Sequence, residues 1–290
     1  RVNCEVNWKE DMVFLRSKIV KNESYSYLVK SKWDSKRKTS EQQTIKYLGK
    51  TSDVTLEDIP DEYRNNSSIL SFLSSNKQLD IKKRGKCLMK IRQNMRKFLL
   101  AGDLKNAMTI YTGFVKQSSI ANFYDDVLRP VMYQIGELWD AKKLDVGDEH
   151  IASNTAMRLI EKIGAKPRMK NKGKTILICT PDGEYHAIPC YMMETYLSLN
   201  GYDIINLAPS APSNSITNHI SDKKPDLILI SITLKDHIKS CKRLINNIKK
   251  FKIPIIVGGQ ALQDENQFHG VMVMETPALS ELSNTIKGMT

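Results

Sequence analysis

A carboxylate and an imidazole stand close together in segment 180–186, where Glu184 precedes His186 by two residues. A carboxylate beside a histidine commonly fixes the tautomer of the ring and strengthens its other nitrogen as a metal ligand. Taken alone, the pair is also typical of an exposed loop histidine with an unrelated acidic neighbour. It therefore predicts a site only if further polar residues are expected at the same place.

Two later segments supply such residues, and each follows an apolar run. Ser231 and Thr233 offer hydroxyls that could hydrogen-bond a ligand, and Gly258, Gly259 and Gln260 follow the next run. Adjacent glycines let the backbone approach a bulky ligand closely, although they are equally typical of a tight turn. Ligands of open parallel sheets bind outside the carboxyl ends of the strands, so we expect all three segments at one edge.

An upstream helical region carries a tryptophan followed, after nine intervening residues, by a Glu-His pair: Trp139, Glu149 and His150. Trp139 comes at the predicted end of a helix, from which its ring can project over a ligand. The alternative is a tryptophan of the hydrophobic core. Small residues share the predicted helical face of Glu149 and would let a large ligand approach: Ala152, Ser153 and Ala156.

The three strand-end segments, in this order and spacing, resemble the cobalamin (vitamin B12)-binding domain. Its pattern is D-x-H-x-x-G, then S-x-L or S-x-T, then G-G, and the resemblance covers about residues 174–288. It implies a Rossmann-like fold in which His186 becomes the lower axial ligand of cobalt. It also implies that the displaced nucleotide tail of the cofactor enters a slot lined by Ser231, Thr233, Gly258 and Gly259.

Two positions depart from this pattern. Glu184 stands in place of Asp and keeps the carboxylate, whereas Pro189 stands in place of Gly and adds bulk close to the expected corrin ring. Proline is sterically permitted in the first turn of a helix, so we expect the helix to persist. A domain that has lost cobalamin is an alternative that Pro189 leaves open.

The W-x9-E-H spacing is similar to the helical cap of the CarH/CarA-type adenosylcobalamin photoreceptor regulators. The segments around Tyr185 and Gln260 are similar to that family as well. The resemblance implies that these two residues belong to the cofactor site and that Trp139 packs over the adenosyl group. It further implies that Glu149 and His150 hydrogen-bond that group.

Asp140 departs from that family, in which a histidine directly follows the cap tryptophan and captures cobalt after light breaks the cobalt–carbon bond. We therefore expect adenosylcobalamin or methylcobalamin as cofactor, without a second histidine ligand. The implied function is a cobalamin-binding sensor or regulator, responsive to light. The alternative is a corrinoid carrier protein for methyl transfer, whose partner a bulky cap tryptophan would obstruct. We expect no enzyme, because no nucleophile–base pair occurs beyond these motifs.

The elements that must position these residues predict a multidomain α/β protein. Residues 78–164 have helical apolar periodicity, which predicts a four-helix bundle cap. After a basic linker at 165–174, apolar strand-like runs alternate with helices, which is typical of a Rossmann-like, doubly wound parallel sheet over 174–290. The predicted strands are 175–180, 204–207, 227–233, 253–257 and 271–274, and the predicted helices are 186–199, 213–223, 237–251 and 278–286.

Residues 1–77 predict a small α+β domain, a candidate output or nucleic-acid module. Strand patterns at 25–30 and 43–48 predict a β-hairpin with a basic tip. Residues 65–68 and 74–76 are serine- and asparagine-rich and predict a linker. The MerR-type winged helix of the photoreceptor family has no counterpart in this pattern.

The 44 Lys and Arg against 32 Asp and Glu give a net charge of +12, which favours nucleic acid as a partner. The hairpin tip could contact phosphates, although a solvated turn is an equally ordinary interpretation. A denser basic cluster on the first bundle helix predicts a DNA or other nucleic-acid face, with a solvated helix face as its alternative. Its members are Lys82, Lys83, Arg84, Lys86, Lys90, Arg92, Arg96 and Lys97.

The composition excludes several classes. A hydrophobic fraction of 41% and a charged fraction of 26% are typical of a globular chain rather than a disordered one. No apolar run approaches the ~20 residues that span a bilayer, so we expect no membrane partner. Five scattered cysteines without C-x-x-C spacing predict a reducing, cytoplasmic location and disfavour a zinc knuckle. Self-association into a homo-oligomer stays open.

Overall fold

The computed structural model describes residues 12–34, 39–76, 78–262 and 268–289. The chain forms two compact units, which divide between Asp140 and Ala141. Three of the predicted bundle helices therefore belong to the first unit and the fourth belongs to the second. The three-domain division with boundaries at 77 and 164–174 stays a prediction.

The first unit begins with an antiparallel sheet of order β1-β2-β3, formed by β1 (Met12–Val20), β2 (Glu23–Asp34) and β3 (Thr39–Lys50). The predicted hairpin is confirmed as β2 and β3. Of its predicted basic turn, 32–38, residues 32–34 belong to β2 and residues 35–38 lie outside the described residues. The sequence prediction missed β1. A two-residue turn joins β1 to β2, with φ of 49° at Lys21 and 66° at Asn22, the signature of a type I′ turn.

Helices follow the sheet in the first unit. The predicted linker at 65–68 and 74–76 is wrong, because α1 (Ser67–Ser75) occupies it. The Asn66 side chain caps this helix by accepting hydrogen bonds from the Ser68 and Ile69 amides, and Ile69, Leu70 and Leu73 are buried beneath it. A 3-10 turn (Asp61–Tyr63) precedes it, and a π-helical turn (Tyr124–Leu128) interrupts the helices that follow. These are α2 (Ile81–Leu100), α3 (Leu104–Val115), α4 (Ile120–Phe123) and α5 (Arg129–Asp140).

The second unit opens with α6 (Val146–Gly164), whose N-cap is the Asp145 side chain, which accepts from the Gly147 amide. Five parallel strands and four helices then alternate, which confirms the predicted doubly wound sheet. The strands are β4 (Thr175–Cys179), β5 (Asp203–Asn206), β6 (Leu227–Ser231), β7 (Ile255–Gly258) and β8 (Met272–Met274). The helices are α7 (Ile188–Leu199), α8 (Ser213–Lys223), α9 (Ile238–Ile248) and α10 (Leu279–Met289).

The sheet has the order β5-β4-β6-β7-β8. From β4 the chain runs outward to β5 and then crosses back to β6 on the other side of β4, so the direction of winding reverses between β4 and β6. The residues that leave these two strands therefore flank the topological switch point, where open α/β sheets bind ligands.

The central strands of this sheet form the hydrophobic core of the second unit. Every residue of β6 is buried, as is β4 after Thr175, which fits strands covered on both faces. Helix α6 packs on α7, where a Cβ added at Gly164 would lie 3.4 Å from the Thr195 hydroxyl.

In the described part of the chain, every helix is too short or too polar to cross a bilayer.

Candidate functional site

The Glu184 carboxylate lies at the switch point and is fully buried. Its Oε1 accepts a hydrogen bond from the His186 backbone amide at 3.0 Å and pairs with the His186 ring Nδ1 at 2.6 Å. Its Oε2 accepts from the amides of Thr233 at 2.8 Å and Leu234 at 3.0 Å. One side chain therefore joins the loop after β4 to the loop after β6.

These bonds decide the charge of the site. Burial alone would raise the pKa of Glu184, but the hydrogen bonds from His186, Leu234 and Thr233 outweigh it and hold that pKa at about 2. The carboxylate is therefore ionised at neutral pH and can only accept hydrogen bonds. It follows that His186 Nδ1 carries a hydrogen, and that a neutral ring has its lone pair on Nε2.

The His186 ring is accessible, with 49% of its side chain exposed. Its pKa is raised above the ordinary value, first because the hydrogen bond to Glu184 stabilises the imidazolium, while burial opposes the shift. The negative charge of Glu149, on α6, raises that pKa further. The arrangement thus offers one oriented imidazole nitrogen, with a carboxylate from α6 within electrostatic reach.

The backbone of the β4–α7 loop is fixed by residues that the sequence prediction did not single out. The Thr180 hydroxyl donates to the Glu184 carbonyl at 2.9 Å and accepts from the Ser210 amide at 2.7 Å. The Ser210 hydroxyl accepts from the Gly183 amide at 2.9 Å. Gly183 has a φ of +87°, and a Cβ there would lie 3.1 Å from the His237 ring. No periodic signal in the sequence marks these contacts.

The prediction that His186 opens the following helix is wrong, since α7 begins at Ile188. The first helical hydrogen bond runs from the Tyr191 amide to the Ala187 carbonyl, which makes Ala187 the N-cap and leaves His186 in the preceding loop. Pro189 lies in the first turn of α7, as expected, where its missing N–H costs no helical hydrogen bond.

The other predicted strand-end residues differ in burial and in what they contact. Thr233 is part of the site, through its backbone amide. Ser231 is buried, and its side chain opposes the rise that burial causes in the pKa of the Cys190 thiol. Tyr185 is 72% exposed and Gln260 is exposed.

Close backbone packing within the fold explains why glycine occupies positions 258 and 259. Gly259 has a φ of +126°, and a Cβ there would overlap the Ile232 carbonyl oxygen. A Cβ at Gly258 would lie 2.9 Å from the Met274 carbonyl oxygen. Close packing of strand ends therefore requires both glycines, and their role toward a ligand stays a prediction.

The predicted cap residues lie in different units. In the second unit, the Glu149 carboxylate pairs with the His150 ring Nδ1 at 2.7 Å and accepts from the Ser153 hydroxyl at 2.5 Å. Ala152 and Ala156, predicted on the Glu149 face, are buried. Trp139 belongs to the first unit, near the end of α5, and is 49% exposed.

The basic cluster on α2 lies on a helix whose opposite side is apolar and buried, at Cys87, Ile91, Met95 and Leu99. Arg92 donates through Nε to the Asp126 carbonyl at 2.6 Å, so it is engaged within the first unit. The basic residues of this helix that are exposed are Lys82, Lys86 and Lys97. Nucleic-acid contact by this cluster stays a prediction.

His186 is the side chain of this site that can offer a nitrogen to a metal. Among the described residues, no group of three or more His, Cys, Asp or Glu side chains is arranged to hold a metal ion. A single oriented imidazole nitrogen fits a metal whose other ligands come from a macrocycle, as in a corrin-bound cobalt.

Comparison with known proteins identifies both regions. Residues 174–280 match the family model described as B12 binding domain, and residues 91–163 match a second model of the same description. The transcriptional repressor CarH of Myxococcus xanthus is 23% identical over 142 residues, which are 48% of this chain and 47% of CarH. Methionine synthase of Mycobacterium leprae is 31% identical over 98 residues, 31% of this chain and 8% of that protein. The chain thus spans less than half the length of these relatives.

Among solved structures, the monomethylamine corrinoid protein of Methanosarcina barkeri superposes with a TM-score of 0.56. The likeness covers 69% of this chain and 99% of that protein, at 15% sequence identity. At this identity it concerns the fold alone, a helical region followed by a Rossmann-like domain.

Proposed function

We propose that the two regions that match models described as B12 binding domain, residues 91–163 and 174–280, together bind cobalamin, with Nε2 of His186 as the lower axial cobalt ligand. The single observation that carries this proposal is the Glu184–His186 pair, in which a buried carboxylate orients the ring from Nδ1. Adenosylcobalamin, when bound, supplies a corrin-held cobalt and a cobalt–carbon bond that light cleaves.

The loops at the switch point would hold the nucleotide tail of the cofactor. The proposed slot is lined by Ser231, Thr233, Gly258 and Gly259, with Gln260 and Tyr185 at the exposed margins of the site. Thr233 supports this assignment because its amide fixes the carboxylate that orients the cobalt ligand. Ser231 is buried, so its hydroxyl would have to become accessible to reach the ligand.

The upper face would be covered by the cap residues. In the proposal Trp139 packs over the adenosyl group, while Glu149 and His150 hydrogen-bond it. The support is that Glu149 is already held by two neighbours on α6 and that its charge acts on the His186 ring. Methylcobalamin is the other candidate cofactor, and a corrinoid carrier role would go with it.

The proposed role is a light-responsive, cobalamin-dependent regulator. Its support is the similarity to CarH, whose name describes a transcriptional repressor. Output through nucleic acid would use the basic residues of α2, and self-association would be the other readout. Asp140 follows Trp139, so no second histidine is expected at cobalt.

The test is reconstitution of the purified chain with adenosylcobalamin in the dark. We expect a base-off, His-on absorption spectrum, and a change of spectrum and of oligomeric size after illumination. His186→Ala should lose the His-on spectrum. His219→Ala is the matched control, because that ring lies on α8 and hydrogen-bonds the Ser215 carbonyl.

The outcomes separate the candidates. A His-on spectrum that survives His186→Ala would refute the ligand assignment. Binding without any effect of light on the spectrum or the size would remove the photosensor role. A corrinoid carrier would then be favoured if methylcobalamin binds and its methyl group can be passed to a thiol acceptor.

A further inference from the structure

The three-stranded sheet of the first unit has two unlike faces. Leu15 lies opposite Leu28 in the register of β1 and β2, and both are buried on the side on which α1 packs. Side chains alternate along a strand, so the neighbours of these leucines point to the other face. On that face Arg16 lies opposite Tyr27, and Tyr27 lies opposite Tyr47 of β3.

Three tyrosines meet on this second face. The Tyr27 and Tyr47 ring centroids are 5.1 Å apart, and those of Tyr25 and Tyr47 are 6.3 Å apart. Tyr47 is 55% exposed and Tyr25 and Tyr27 are partly exposed, so the cluster is not a hydrophobic core. The face consequently presents aromatic rings to solvent, on a sheet whose β2–β3 register shifts between Ser26 and Tyr27 and again between Leu28 and Val29.

Cations surround these rings. Lys18 lies opposite Tyr25, and both Lys18 and Arg16 are exposed. Arg16 is held across the sheet by a hydrogen bond of 2.8 Å to the Gln42 side chain. Residues 12–50 contain ten Lys and Arg against three Asp and Glu, so most of the acidic residues of 1–77 lie outside this sheet.

Glu23 lowers the positive charge of this face. Glu23 binds the Lys50 ammonium at 2.7 Å and accepts the Tyr25 hydroxyl at 2.8 Å. Lys50 is thereby paired, and among the residues that the structure describes in this sheet Arg16 and Lys18 are the cations placed beside the rings by the strand register. The two cations and three rings, Arg16, Lys18, Tyr25, Tyr27 and Tyr47, are called the tyrosine face below.

We propose that the tyrosine face binds single-stranded nucleic acid. Unpaired bases stack on aromatic side chains, while nearby Lys and Arg neutralise the phosphates, and both elements are present on this face. A duplex has its bases stacked internally and would use the cations alone. This surface is separate from the basic cluster of α2, and the inference does not depend on cobalamin binding.

The test measures the binding of fluorescently labelled oligo(dT) and oligo(U) of about 12 nucleotides by the full chain, with a duplex of the same length for comparison. We expect single strands to bind more tightly than the duplex. Tyr47→Leu should weaken single-strand binding about tenfold without changing its salt dependence, because stacking is lost and no charge is removed. Tyr47→Phe should bind like the unmodified chain.

Charge variants give an independent readout. Lys18→Gln should lower the slope of log affinity against log salt by about 0.7, the value for one phosphate contact on a single strand. Glu23→Gln should tighten binding, since it releases Lys50. Lys86→Gln tests the other candidate surface, the basic cluster of α2, and a loss of affinity confined to it would assign binding to that helix. Lys287→Gln, exposed on α10, is the control and should leave the affinity unchanged.

Four results would overturn the proposal. They are absence of single-strand binding, equal affinity for duplex, an unchanged affinity in Tyr47→Leu, or a loss in Lys86→Gln without one in Tyr47→Leu. Because Tyr47 is exposed on an edge strand, its replacement should leave the circular dichroism spectrum unchanged. A difference between the oligo(dT) and oligo(U) arms would identify which nucleic acid is preferred. None of these outcomes bears on cobalamin, so a failure here is distinguishable from a failure of the proposed function.

Discussion

Replacement of Glu184 by Gln tests the candidate site most directly, because it changes one oxygen to an NH2 group at nearly constant volume. Four hydrogens point at the carboxylate, two at each oxygen: the His186 amide and ring at Oε1, and the Thr233 and Leu234 amides at Oε2. An amide side chain has one acceptor oxygen only. Either orientation of Gln therefore conflicts with existing donors.

The two orientations have different costs. With the NH2 group at the Oε2 position, the Thr233 and Leu234 amides both lose their acceptor. At about 1–3 kcal/mol for each unsatisfied donor, this costs about 2–6 kcal/mol. With the NH2 group at the Oε1 position, only the His186 amide is left unpaired, if the ring accepts at Nδ1. The second orientation costs about 1–3 kcal/mol and is favoured.

The favoured orientation moves the ring hydrogen to Nε2, which removes the lone pair that would bind cobalt. We therefore expect Glu184→Gln to lower the free energy of unfolding by about 1–3 kcal/mol and to abolish the His-on spectrum of the cobalamin complex. Urea unfolding followed by circular dichroism measures the first effect, and absorption spectroscopy measures the second. Asp182→Asn, in the same loop and exposed, is the control. A variant with unchanged stability and a His-on spectrum would refute the reasoning.

Four further predictions follow from the same contacts. The pKa of Glu184 is about 2 in the folded chain and about 4.3 in the unfolded chain. The ionised carboxylate therefore contributes about 3 kcal/mol to the free energy of unfolding above pH 4.3, and this contribution is lost as the pH falls toward 2. Urea midpoints of the unmodified chain should show this loss, and those of Glu184→Gln should not. As the pH is lowered, cobalamin affinity should begin to fall at a pH above the ordinary pKa of histidine, because the pKa of His186 is raised and cobalt must replace its proton. Cobalamin titrations at several pH values measure this, and an affinity that does not change with pH would contradict it. Gly259→Ala should cost at least about 2 kcal/mol of unfolding free energy, because its Cβ would overlap a carbonyl oxygen at positive φ. Asn66→Ala should cost about 1 kcal/mol through loss of the α1 cap, measured by thermal unfolding, with Asn65→Ala as control.

The parallel sheet could be predicted because its central strands, β4, β6 and β7, are buried and therefore have continuous apolar runs in the sequence. The helix α1 could not, because its serines are typical of a linker. In the structure the Ser71 and Ser75 hydroxyls donate to carbonyls one turn earlier, which satisfies them within the helix. Strand β1 could not be predicted because its sequence pattern is weak. Only Val13 and Leu15 are buried along its nine residues, too few to produce an alternating pattern.

The candidate site shows the same limit in its chemistry. Glu184 and His186 were found because their side chains differ chemically from their neighbours. Thr233 was predicted for its hydroxyl, and the contacts that the Thr233 and Leu234 amides make with Glu184 were not predicted, because every residue other than proline possesses a backbone amide. Long-range hydrogen bonds of this kind depend on the register of β4 beside β6, which no local pattern contains.

The hydrogen bond that orients the His186 ring also stabilises its protonated form, and these two effects oppose each other. A fixed ring loses little freedom on binding cobalt, which favours a ligand that is ready before the cofactor arrives. The ionised Glu184 raises the pKa of the ring, so a proton competes with cobalt for Nε2. The charge of Glu149 on α6 acts in the same direction. A group that engaged Glu149 would weaken its hold on the imidazolium and lower the pKa of His186. Adenosyl contact at Glu149 would then favour cobalt at His186, so the proposed upper contact and the proposed lower ligand would support each other through charge.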